Sequence, residues 1–94
     1  DTTAPVINIT SPVNGQIVKQ NTNFNVSGTI TDDTELKEII VAGNSITAFT
    51  SKTSHTVNIS LNVGNTPVGD VNIEISATDK AGNKASKTIT LKVE

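Results

Sequence analysis

Along most of this chain apolar side chains recur at every second residue, and that periodicity restricts the fold more than any other feature. Ile7 and Ile9 alternate with Asn8 and Thr10, and Phe24, Val26, Gly28 and Ile30 alternate with Asn25, Ser27, Thr29 and Thr31. Val57, Ile59 and Leu61 repeat the pattern, as do Val71, Ile73, Ile75 and Ala77, and finally Ile89, Leu91 and Val93. Strict alternation of this kind means strands with one dry face and one wet face. No window holds apolar residues at helical spacing for long enough to compete. Turn residues fall between the runs: Ser11-Pro12-Val13-Asn14-Gly15, Asp32-Asp33-Thr34, Ala42-Gly43-Asn44, the Gly64 to Asp70 stretch and Asp79-Lys80-Ala81-Gly82-Asn83. Asn-Gly is a strong tight-turn pair, and Asp and Asn side chains bond the backbone of their own turns. The expected strands span 6–10 with a continuation at 16–18, then 23–31, 36–42, 45–49, 56–62, 70–78 and 86–93. About seven strands, spaced by roughly 8–12 residues, predict an all-β chain folded as an antiparallel β-sandwich.

The chain has 94 residues, of which 34% are hydrophobic and 17% charged. Thr, Asn and Ser make up the difference, Thr suiting the outer face of a strand and Asn and Ser suiting turns. So short a chain buries a small core, and each inward strand position must be apolar for it to hold. The formal net charge is -2, and Lys residues are interspersed with carboxylates, so nothing here tracks nucleic-acid phosphates. No apolar run approaches the ~20 residues of a membrane-spanning helix. Asp1-Thr2-Thr3-Ala4-Pro5 reads as an interdomain junction, leaving residues 1–94 as a single module expected to be monomeric. The absence of Cys removes disulfides, thiolate nucleophiles and thiolate metal sites together, and leaves the compartment open.

Several short motifs narrow the fold further: Asp1-x-x-x-Pro5, Ile9-Thr10-Ser11-Pro12 with Asn14-Gly15, and Val26-Ser27-Gly28-Thr29-Ile30-Thr31-Asp32-Asp33. The most specific is Ile75-Ser76-Ala77-Thr78-Asp79-Lys80-Ala81-Gly82-Asn83. In this order and spacing they resemble the bacterial immunoglobulin-like domains repeated in surface adhesins and appended to secreted glycosidases. The resemblance covers the whole chain. Antibody domains are a poorer match, because the chain lacks their Cys pair, Trp and corner Tyr. The resemblance implies an immunoglobulin-like sandwich, an extracellular setting (secreted or on the cell surface), and a role in the architecture of a larger protein.

In an antiparallel sandwich of this order, the start of the first strand, the loop at Asp32-Asp33-Thr34-Glu35 and the loop from Asp79 to Asn83 meet at one pole. Asp1, Asp32, Asp33, Asp79 and Asn83 would then gather several oxygen ligands, and Ca²⁺, which takes six to eight oxygens, is the natural counter-ion. Calcium would clamp the junction, as it does in some tandem adhesin domains that this chain resembles. Turn chemistry explains the same residues without an ion, because Asp carboxylates accept bonds from N–H groups two positions on.

No catalytic constellation is visible. His55 is the sole His and has no Asp or Cys at a triad spacing, and Glu74 lies on an outward strand face without a facing carboxylate. Direct sugar binding would want exposed aromatics, and the chain has two Phe and no Trp or Tyr. Phe24 is in phase with the core, while Phe49 falls near the edge. Asn8, Asn25 and Asn58 each fit Asn-x-Ser/Thr, which says that those positions face outward. Ser45-Ile46-Thr47-Ala48-Phe49-Thr50 carries no charge, and an unguarded edge is suited to pairing with another strand. Ile46 and Phe49 are therefore the candidate contact residues for a host or matrix protein, unless they close the end of the core. The expected role is a non-enzymatic spacer or stalk contacting neighbouring domains of its own chain. Adhesion through the edge, or sugar binding as a glycosidase accessory, stands as the alternative.

Overall fold

The computed structural model describes residues 3–94 and shows eight strands and no helix among them. They are β1 (Val6–Ser11), β2 (Ile17–Val18), β3 (Asn23–Thr31), β4 (Leu36–Val41), β5 (Asn44–Ile46), β6 (Ser54–Asn62), β7 (Gly69–Asp79) and β8 (Lys84–Val93). One sheet has the order β1-β3-β6 and the other β2-β8-β7-β4-β5. Every pairing is antiparallel except that of β2 with β8. The predicted first strand is thus two strands in different sheets. Between them the Asn14 side-chain oxygen accepts from the Thr90 N–H (3.0 Å) and the Gly15 N–H donates to the Thr90 carbonyl (2.7 Å). The Asn-Gly pair therefore anchors this crossing segment to the middle of β8.

The alternating residues face each other across the two sheets. Val26, Ile30 and Val57 come from one sheet and Ile39, Val41, Ile75, Ile89, Leu91 and Val93 from the other, all essentially without exposure. Full burial of such a side chain contributes roughly 1.5–3 kcal/mol. Phe24 packs half-buried against this cluster, in phase as the alternation requires. Where the inward residues are not two apart, the backbone adjusts. Leu36 and Ile39 are three apart and both buried, and the register with β7 shifts between Leu36 and Glu38. The extra residue in that bulge is Lys37.

Gly28 allows a close approach that no other residue would. A Cβ there would clash with the Asn8 carbonyl oxygen and lie 2.8 Å from the Ile9 Cα, so β1 can sit this near β3 only over a glycine. The expected strand at 45–49 is shorter than its alternation suggests: β5 ends at Ile46, and Phe49 lies in the irregular segment leading to β6. The turn into β5 is a two-residue loop, Ala42-Gly43, with both φ values positive (49° and 86°).

The molecule is elongated. Its extents are 42 × 20 × 19 Å and its radius of gyration is 13.8 Å, against about 12 Å for a compact chain of this length. Val6 pairs with Thr31 at one pole, beside the loops at 32–35 and 79–83. At the other pole, the Gln20 N–H donates to the Glu94 carbonyl (3.0 Å). The chain therefore enters at one end of its long axis and leaves at the other.

Candidate functional site

The register brings the two acidic loops together, as the topology of a sandwich requires. Leu36 at the start of β4 pairs with Asp79 at the end of β7, and the Lys80 N–H donates to the Glu35 carbonyl (2.9 Å). Asp32, Asp33, Asp79 and Asn83 thus share the N-terminal pole. Asp1 lies outside the described residues.

Each buried carboxylate there is engaged by its own loop. One oxygen of Asp32 accepts from the N–H groups of Thr34 (3.1 Å) and Glu35 (3.0 Å) and from the Thr34 hydroxyl (3.0 Å). Asp79, with no exposure at all, accepts from the Asn83 N–H through Oδ1 (2.8 Å) and from the Asn83 amide through Oδ2 (3.0 Å). Asp33 is exposed. The Oδ1 of Asp32 is buried and has no hydrogen-bond partner. No group of three or more His, Cys, Asp or Glu among the described residues is placed to hold a metal. Among the described residues, the carboxylates of Asp32 and Asp79 close their own loops.

At the edge, Ile46 and Phe49 are both half-buried and packed against the core. The Phe49 ring meets the His55 ring edge-on, with centroids 5.7 Å apart and planes at 70°. His55 falls in the inward phase of β6, opposite Ile30, and its Nδ1 accepts from the Thr50 N–H (3.1 Å). No sequence pattern announces this contact, because the bridge between Ser51 and Ser54 is what folds residue 50 back onto residue 55. The longest uncharged edge is β6. It has nine residues without a Lys or carboxylate, and it pairs with β3 alone. Asn8, Asn25 and Asn58 are all exposed on the outer face of the sheet that contains it.

Beside the acidic pole a cleft of about 430 Å³ opens between the start of β4 and the segment from Thr47 to Lys52. Lys80 and Glu35 form an ion pair across it at 2.7 Å. Hydrogen bonding to the Lys80 ammonium, and then its charge, holds the Glu35 carboxyl below the usual range near 4.5, slight burial opposes this, and Lys52 adds to the lowering. No local motif announces the cleft, since Lys37, Lys52 and Lys80 are far apart in sequence.

The family model for glucodextranase domain B matches residues 5–94. Among solved structures, the chain is similar to a variant of the SrpA adhesin from Streptococcus sanguinis, with 27% identity and a TM-score of 0.70. That match takes in all of this chain and 57% of the adhesin chain, so the present chain spans little more than half of its length. It is also similar in fold to the fibronectin(III)-like modules of CbhA from Clostridium thermocellum, with a TM-score of 0.63, 21% identity and 94% of each chain covered. No curated protein matches the sequence.

Proposed function

Because this chain belongs to the glucodextranase domain B family and folds as a bacterial immunoglobulin-like domain, we propose that it is a non-catalytic spacer module of a larger secreted or cell-surface protein. The observation that carries this reading is that Val6 at the start of β1 and Glu94 lie toward opposite poles of a body 42 Å long. A module entered at one end and left at the other adds its full length to whatever it separates. Such a module needs a stiff body and stiff junctions. Here the body is a dry core, and the N-terminal pole is tied by bonds from Asp32 and Asp79 to their own loops. On this reading those bonds close the loops without an ion. The family name and the adhesin likeness both support an accessory role and an extracellular setting.

Two copies joined directly in tandem test the reading by small-angle X-ray scattering. A maximum dimension near twice that of one copy is expected, and a compact, folded-back pair would refute it.

A second reading has one specific observation behind it, the uncharged nine-residue edge of β6. An extended segment of a host or matrix protein could add there as a further strand. Surface plasmon resonance against immobilised matrix proteins, with Asn58→Lys and Ser60→Lys, decides it: binding that survives both changes removes the edge from consideration.

A further inference from the structure

We propose that the cleft between the start of β4 and the 47–52 segment binds an acidic sugar residue of a polysaccharide. The proposal stands independently of the spacer reading.

Three of the chain's seven basic residues, Lys37, Lys52 and Lys80, line this one cleft, with Glu35 as the single carboxylate among them. The cleft is therefore formally +2 on a chain that is -2 overall. Glu35 neutralises Lys80 at 2.7 Å, and it is the one salt bridge among the described residues. Among the described residues the ammonium groups of Lys37 and Lys52 form no ion pair, Lys52 acting on Glu35 only at longer range. Like charges gathered around a concavity repel, and an anion placed among them relieves that repulsion while the low-dielectric walls strengthen its attraction.

The lysines are also held in place by backbone. The Leu36 N–H donates to the Lys52 carbonyl (2.7 Å) and the Lys80 N–H to the Glu35 carbonyl (2.9 Å), so all three walls are tied together. Lys37 is the bulged residue of β4, and a bulge re-aims the side chain it carries. Two further features select a sugar over a bare anion. Phe49, in T-shaped contact with His55, lines the cleft and offers an aromatic surface for the apolar side of a pyranose ring. Thr47 and Ser51 supply hydroxyls beside it for the ring hydroxyls. The volume, about 430 Å³, lies within the range of roughly 300–1,000 Å³ usual for small-ligand sites. The anionic group is a carboxylate or a sulfate, and both meet the same lysines.

Amide chemical-shift titration of the intact chain tests this with four probes: tetragalacturonate, a sulfated κ-carrageenan tetrasaccharide, neutral maltotetraose and tetraglutamate. The first two separate the carboxylate source from the sulfate source. Shifts confined to residues 35–37, 47–52 and 80 are expected with at least one of them. Lys37→Gln and Lys52→Gln should each weaken binding about threefold or more, the size of one partly exposed ion pair. Lys92→Gln, on β8 away from the cleft, should leave it unchanged. Phe49→Leu keeps an apolar side chain against the core but removes the ring face, and should weaken both acidic sugars. Absence of shifts at ~10 mM, where a millimolar site is occupied, overturns the proposal. So does equal binding of tetraglutamate, which would mean charge alone, or of maltotetraose, which would mean no role for the anion. Equal loss with Lys92→Gln would mean diffuse attraction and would also overturn it.

Discussion

The two sheets of this sandwich carry similar patterns of apolar residues and very different charge. β1, β3 and β6 together have no Lys, Asp or Glu, whereas β4, β7 and β8 carry Lys37, Glu38, Asp70, Glu74, Asp79, Lys84, Lys87 and Lys92. The uncharged sheet presents outward rows of Asn, Thr and Ser, such as Asn8-Thr29-Thr56 and Ser27-Asn58. It owes its geometry to a close backbone approach at Gly28. The charged sheet gathers the loops of the N-terminal pole and the lysine cleft. One sheet is defined by backbone fit and the other by side-chain chemistry at its ends. Backbone fit tolerates least, and the expected costs follow that order.

Gly28→Ala should be the most damaging. Its Cβ meets backbone atoms that cannot step aside, and overpacking of this kind costs about 3 kcal/mol or more. At roughly 4–8 °C per kcal/mol for a domain of this size, the thermal midpoint should fall by more than ~10 °C. A smaller loss than that of Asp79→Ala would reverse the comparison. Asp79→Ala removes both acceptors of Asn83 from a fully buried position, and leaves a backbone N–H to find water. A loss of about 2 kcal/mol in urea unfolding is expected.

Ala42→Asn should act in the opposite direction. Ala42 sits at φ 49° in a two-residue hairpin loop before a glycine, and Asn-Gly there should gain about 1 kcal/mol by relieving a left-handed alanine. No gain would mean that the turn is not strained.

The smallest effect concerns Lys80→Met. Glu35, released from the Lys80 ammonium, should titrate higher, nearer its ordinary value, as followed by NMR. The sign for stability follows from the lowered folded value. The ion pair's contribution is present above the unfolded-state value near 4.5 and fades as pH falls through the folded one. Both groups are exposed, so the unfolding midpoint at neutral pH should hardly move.

The alternation of Val26, Ile30, Ile75 and Leu91 was enough to read the strands and the core from sequence, because period two has one physical meaning. The pole was legible as well, since antiparallel order alone brings Asp32 to the side of Asp79. What those carboxylates do was open: an Asp in a turn and an Asp on a metal look the same in sequence, and only their bond partners separate them. Phe49 is legible as a residue near the edge, but its contact with His55 is not, because it depends on a bend at Ser51–Ser54 that folds residue 50 back onto residue 55. The cleft was invisible, since three lysines separated by 15 and 28 positions meet only through the register of β4 with β7 and the Leu36–Lys52 backbone bond.

We propose that hydrogen bonds within the acidic loops hold the N-terminal pole of this module without the help of an ion. Thermal unfolding of the chain in EDTA and in millimolar CaCl₂ tests it most directly. The account predicts superimposable transitions. An ion at 100 times its dissociation constant would add ~2.7 kcal/mol, so a rise of about 10 °C or more that Asp32→Asn abolishes would contradict it.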